Sequence, residues 1–152
     1  MTERAPIARG LPLGFLPPSG SGNAPRSWVI EMPAGMALLN VNDHTGHWGK
    51  RQRLAEDLRV RAGWLAKGQR IPRLERAHVL GVYEPPDRRR RDPSNYLPSF
   101  KACIDGIVTD AGVLADDDAE HLDGPDMRLG PVHPKGRLVL VITEVPAGGD
   151  PS

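Results

Sequence analysis

Five consecutive apolar residues, Leu138-Val139-Leu140-Val141-Ile142, constrain the fold of this chain most. Neighbouring side chains on a strand point to opposite faces, so an unbroken run of this kind needs cover on both sides. The run predicts an interior strand of a sheet, within Arg137 to Val145. Ala77 to Tyr83 (Ala-His-Val-Leu-Gly-Val-Tyr) reads as another strand, stopped by Pro85 and Pro86. Ser27 to Met32 has the β-branched and aromatic content of a short strand and ends at Pro33 and Gly35. Ala119 to Leu129 supplies a fourth, joined to the last by the turn-rich Pro131-Val132-His133-Pro134-Lys135-Gly136.

Two segments have helical periodicity instead. Gly49 to Lys67 lacks internal proline and spaces Leu54, Leu58, Ala62 and Leu65 on one stripe, away from Arg51, Arg59 and Arg61. From Leu97 onward, Leu97, Phe100, Ile104 and Ile107 form a second stripe, with Ser94 or Asn95 expected as the cap, Pro98 in the first turn and Gly112 as the stop. Val113-Leu114 is expected to pack back. The order strand, helix, strand, helix, strand, strand predicts a single small α+β domain over residues 26–145, a mixed sheet of about four strands covered by two helices.

The chain has 16 Pro and 17 Gly, clustered towards its ends. Residues 1–25 and 146–152 are therefore expected to be flexible tails. Leu11 to Pro18 is apolar like a signal core, but Pro12, Gly14, Pro17 and Pro18 break it and it is far too short to span a membrane. A cytoplasmic protein without membrane attachment is the expectation. A single cysteine, Cys103, falls within the second helix and is expected to pack rather than react. No Cys/His spacing matches a zinc site, and His44 with His47 lacks a third ligand.

The net charge of +1 conceals a segregation. Residues 50–91 hold 13 Lys/Arg against 5 Asp/Glu, whereas residues 92–126 hold 1 against 9. A basic region suits phosphates, and an acidic one beside it suits a cation. The two meet in Arg88-Arg89-Arg90-Arg91-Asp92-Pro93-Ser94-Asn95, and a further cluster, Asp116-Asp117-Asp118, follows the second helix. Carboxylates brought within a few ångströms repel by about 1 kcal/mol in water and about 4 kcal/mol at an effective dielectric of 20. Such a pair recruits an oxygen-seeking divalent cation, with Mg2+ the natural candidate and Mn2+ an alternative. The arginine run reads either as a solvated cluster or as a phosphate contact, and the basic face of the first helix is open to the same two readings. Lys101 and Asp105, four apart, are also compatible with an ordinary surface ion pair. The acids lack the glycine and terminal Glu spacing of a calcium loop, and the P-loop and dinucleotide glycine patterns are missing.

Taken in order, Arg90-Arg91-Asp92, Asn95, Lys101 with Asp105, and Asp117-Asp118-Ala119 resemble the RusA-like family of Holliday junction resolvases. The likeness extends to Leu39-Asn40-Val41-Asn42-Asp43 and His47-Trp48, and covers roughly residues 28–145. Ser94 stands where the family often has a second Asp, and Lys101 lies about three residues farther from Asn95 than the family pattern. The resemblance implies a homodimeric, magnesium-dependent endodeoxyribonuclease that cuts four-way junctions. It implies Asp92, Asp117 and Asp118 as metal ligands, and Asp92, Asn95, Lys101, Asp105 and Asp118 as catalytic residues. Arg51, Arg59, Arg88, Arg89, Arg90 and Arg91 would contact DNA, with Asn40, Asn42, His47 and Trp48 nearby. A catalytically silent protein that binds branched DNA is the alternative, and a partner-binding domain with merely solubilising acids is a third reading.

Overall fold

The computed structural model describes residues 25–42 and 48–146. Residues 1–24 and 147–152 of the expected tails, and Asp43, His44 and His47, lie outside the described residues. One four-stranded mixed sheet is formed by β1 (Ser27–Glu31), β2 (Ala77–Glu84), β3 (Leu122–Leu129) and β4 (Arg137–Glu144), in the order β1-β4-β2-β3. Helices α1 (Trp48–Gly68) and α2 (Leu97–Asp105) complete the α+β domain read from the sequence.

The apolar run in β4 is interior, antiparallel to both β1 and β2. Leu138, Leu140 and Ile142 join Ile30, Val79 and Tyr83 in a core shared with Leu58, Ala62, Phe100, Ile104 and Ile107 from the helical layer. Val139 and Val141 instead join Leu80 and Val82 in a second buried cluster, with Val29 packed against it. Strands β2 and β4 are therefore apolar on both faces, which accounts for their lack of polar alternation. β3 runs parallel to β2, so β3 and β4 form no hairpin and the loop between them carries the chain past β2. β3 starts at Leu122 rather than Ala119, because the amides of His121 and Leu122 close a turn on the Asp118 carbonyl. One extra residue on β3 opposite Val79 accommodates Pro125, as an edge strand can.

Contacts too close for a side chain set the spacing of the helical layer. A Cβ on Gly81 would come within 2.7 Å of the Phe100 ring, so Phe100 seats directly on the sheet. A Cβ on Gly106 would lie 2.0 Å from the Arg59 carbonyl oxygen, and one on Gly63 would lie 2.9 Å from the Gly106 carbonyl oxygen. α1 thus crosses the end of α2 backbone against backbone. The chain widens there into a π turn, Gly106–Asp110, in which the Ala111 amide donates to the Gly106 carbonyl at 2.9 Å, and Gly112 at φ 70° ends it as expected.

Neither Ser94 nor Asn95 caps α2, whose first residue follows Tyr96 without a side-chain cap; Asp92 instead caps the turn that leads into it. Its Oδ1 accepts the Ser94 amide at 3.0 Å and the Ser94 hydroxyl at 2.7 Å. That opens a 3-10 turn, Pro93–Tyr96, leading into α2, and Pro93 at the start of the turn favours the acid one place earlier. Pro98 sits in the first turn of α2 as expected. At the far ends of the strands Glu84, 1 % exposed, accepts from Arg137 Nε at 2.6 Å, while Arg137 Nη2 reaches Glu31 at 3.3 Å. Removing one partner of such a buried pair costs about 3–5 kcal/mol.

The helix crossing gives a direct test. Gly106→Ala is expected to lower the unfolding free energy by about 3 kcal/mol, the upper range for overpacking, since the obstructing atom is backbone. Gly49→Ala, with nothing within 4 Å of the new methyl, is expected to change it by at most about 1 kcal/mol and in the stabilising direction. Urea denaturation of both variants measures the contrast.

Candidate nucleic-acid cleft and acidic pair

α1 turns one flank towards α2, and between them lies a cleft of about 350 Å³. Trp48, Arg51, Gln52, Glu56 and Arg59 line it from α1, with Asp105 and Ala102 from α2 and Leu39 from the preceding loop. Ser99, fully buried, holds that loop down: its hydroxyl accepts the Leu39 amide at 2.6 Å and donates to the Leu39 carbonyl at 2.8 Å. The Val41 amide donates to the Asn95 carbonyl at 2.9 Å. Asn40 and Asn42, linked by a turn in which Asn40 Oδ1 accepts the Asn42 amide, are thus held beside the segment that carries Asp92 and Asn95.

Asp105 is the chemically unusual carboxylate. Burial, and then the charge of Asp117, holds it above its ordinary value, while Arg59 and Lys101 pull it back. The chain returns after the π turn so that Asp117 acts on the end of α2, twelve residues after Asp105. Lys101 stands one helical turn before Asp105 and contributes through charge; the close ion pair of this region is Arg59 with Asp110. The Arg59 fork donates through Nη2 at 2.9 Å and Nε at 3.1 Å to the two Asp110 oxygens. Arg59 therefore belongs to the wall of the cleft, held in place, rather than to an outward basic face.

The other acids are engaged in local turns. Asp92 is held below its ordinary value by the Ser94 hydroxyl and amide. Asp118 is held below its ordinary value chiefly by His121, whose Nδ1 lies 2.6 Å from Oδ1. The amides of Glu120 and His121 also point to Asp118 Oδ1. In both residues these bonds fall on Oδ1 and leave Oδ2 outside them. Among the described residues no group of three or more His, Cys, Asp or Glu is placed to hold one metal ion. Asp92 precedes α2 and Asp105 closes it, and nine helical residues rise about 14 Å, so the two cannot meet through the helix itself.

The four arginines divide. Arg91, its side chain 18 % exposed, is folded inward, with Nη1 2.7 Å from Asp87 Oδ1 and also donating to the Asp87 and Arg89 carbonyls. Beside it Tyr83 and Tyr96 stack at 4.1 Å. Burial, followed by the hydrogen bond with Tyr96, raises Tyr83 well above its ordinary value. Arg88, Arg89 and Arg90 are exposed. Cys103 is buried and its thiol is pushed up to about 12 by burial, so it packs and does not react. Glu56 and Gln52 are the cleft residues that sequence reasoning misses. Their signal is the spacing Gln52, Glu56, Arg59, four and then three residues apart on one side of a helix whose basic residues draw the attention.

The Asp118–His121 contact sets an expected titration. His121 is raised above the ordinary imidazole value first by its hydrogen bond to Asp118, so the folded state binds this proton more tightly than the unfolded chain. The stabilisation from His121 is fully present below its unfolded value of 6.5 and is lost as pH rises through the raised value. For Asp118 the sense reverses: its contribution is present above 3.8 and is lost as pH falls through the lowered value. The turn is therefore tightest in mildly acid solution. NMR titration is expected to give a His121 midpoint above that of a free imidazole, and Asp118→Asn is expected to return it towards 6.5.

No protein-family model matches the chain, and no curated protein matches it.

Proposed function

We propose that the chain is a metal-dependent endodeoxyribonuclease of the RusA-like kind, acting on four-way or otherwise branched DNA. The observation that carries the proposal is Asp105, partly buried in a cleft that also holds Arg51, Arg59 and Trp48 and held above its ordinary value first by burial and then by the charge of Asp117. A carboxylate whose affinity for a proton is raised by a neighbouring negative charge has its affinity for any other cation raised as well. Mg2+ is commonly held by one or two carboxylates, with substrate phosphate and water completing its shell, so a pair of acids is a sufficient protein contribution. Asp105 and Asp117 would hold the ion, with water and substrate phosphate as its other ligands, while Asp92 and Asp118 stay engaged in their own turns. When bound, the ion supplies charge neutralisation at the phosphoryl oxygens and a lowered pKa for water near neutral pH.

The side chains of the chain have their own parts. Trp48 and Arg51 border the path of a strand into the cleft, and Arg88, Arg89 and Arg90 offer planar forks to phosphates farther along it. Lys101, a charge-bearing neighbour of Asp105, offsets negative charge that builds up on a reacting phosphate. Arg59, fixed by Asp110, keeps the wall rigid and limits the repulsion between the acids. A homodimer with two such clefts related by a two-fold axis would make the paired cuts that a four-way junction requires.

The second reading, a silent binder of branched DNA, is favoured by one observation: Ser94 donates both hydroxyl and amide to Asp92, where a carboxylate at position 94 would oppose it. A labelled four-way junction incubated with and without Mg2+ separates the readings. Cleavage supports the enzyme, retention without cleavage supports the binder, and the absence of both supports the partner-binding domain.

Two variants sharpen the assignment. Ionising Asp105 above its raised value costs the folded state, so Asp105→Asn is expected to leave thermal stability at pH 7 unchanged or higher while abolishing Mg2+-dependent cleavage. Full cleavage by this variant would exclude the acidic pair as the site. For the arginines, replacing Arg88, Arg89 and Arg90 by Ala is expected to lower the slope of log affinity against log salt by about 0.9 for each phosphate that is no longer neutralised. Arg91→Ala is expected to reduce stability more than it reduces that slope, because its guanidinium is bound to Asp87.

A further inference from the structure

The flank of α1 turned away from the acidic cleft borders a second groove, of about 680 Å³, which no part of the proposed chemistry uses. Pro33, Ala34 and Met36 line one wall and Val60 and Trp64 the other, with Asp57 and Arg61 as its charged residues. Trp64 is 68 % exposed and Val60 53 % exposed, two large apolar side chains side by side on the surface of α1. The Arg61 guanidinium lies 5.9 Å from the Trp64 ring centroid. The opposite wall is firm: Gly35 turns at φ 77°, and its amide donates to the Gly136 carbonyl at 2.8 Å.

We propose that this groove receives an unpaired nucleobase of the bound DNA, stacked on Trp64, while the outward basic residues of α1 contact the flanking phosphates. The inference rests on the reading of the chain as a branched-DNA protein and adds the means by which it would tell unpaired from paired strands. Charge complementarity selects this occupant. α1 carries six Lys/Arg against two acidic residues, and Lys50, Arg53, Arg61 and Lys67 are all exposed. That surface attracts a polyanion, and two copies meeting symmetrically along it would set like charges against each other. A flat apolar slot with one donor side chain and one acceptor side chain on its rim suits the face and the polar edge of a base.

The test compares wild type, Trp64→Ala and Trp64→Phe in metal-free buffer for affinity to a short unpaired oligonucleotide, a four-way junction and a fully paired duplex. Trp64→Ala is expected to weaken binding of the unpaired strand and the junction about ten-fold, with Trp64→Phe within about three-fold of wild type and duplex affinity altered by less than about two-fold. A junction carrying 2-aminopurine at the crossover is expected to be quenched by wild type and not by Trp64→Ala. Unchanged binding of the unpaired strand by Trp64→Ala overturns the proposal, as does an equal loss on duplex and unpaired strand. A fall in sedimentation coefficient with DNA affinity intact also overturns it and identifies the groove as a contact between copies. Failure of the wild-type protein to bind any of the three DNAs overturns the functional reading and the inference together, whereas cleavage of the junction by Trp64→Ala with wild-type affinity overturns the inference alone.

Discussion

The close crossing of α1 over the end of α2 is the constraint on which the rest of the site depends. With hydrogen in place of a side chain at Gly63 and Gly106, two backbones approach to contact distance, and the helices lock at one place along their lengths. Arg59 then lies within reach of Asp110, and Asp105, one residue before Gly106, is carried to the flank of α1. A wider crossing would move Asp105 away from Arg59 and open the cleft to solvent. The placing of Asp105 in the cleft is thus a product of helix packing before it is a matter of local sequence.

Much of the fold could be read from the chain because its strands and helices are marked by strong local signals. The apolar run Leu138–Ile142 needs burial on both faces wherever it is placed, and Pro33, Pro85, Pro86 and Gly112 punctuate the elements without reference to tertiary contacts. Pairing is different. Nothing local in Leu122–Leu129 states that it runs parallel to β2, since that depends on α2 carrying the chain back across the sheet. The second buried cluster on the other face of the sheet is implied by the same apolar run, but its members Leu80 and Val82 come from a strand whose boundaries are its clearest sequence signal.

The site divides along the same line. Residue types and order single out Asp92, Asp105, Asp117 and Asp118, but the charge of Asp117 reaches Asp105 only because the chain turns back after the π turn, whose extra residue per turn carries no sequence signature of its own. Asp92 is legible as an acid but not as a cap, because Ser94 and Asn95 compete for that role and only the backbone bend at Pro93 decides among them. The arginine run looks uniform in sequence. Asp87, four residues before Arg91, is what folds one member inward, and an i, i+4 partner has that meaning only once the loop is known to turn.

The edges of the sheet carry one more consequence. On β1 the Gln69 side chain donates to the Val29 carbonyl, filling a backbone position that an added strand would need. β1 has only five residues, and β3, at the opposite edge, bears an extra residue, Pro125 and the exposed charges of Asp123, Asp126 and Arg128. Both borders are therefore poor templates for strand addition. Among the described residues, the borders of this sheet turn association towards side-chain surfaces, where it answers to shape and charge, and away from the open-ended backbone pairing by which sheets grow into fibres.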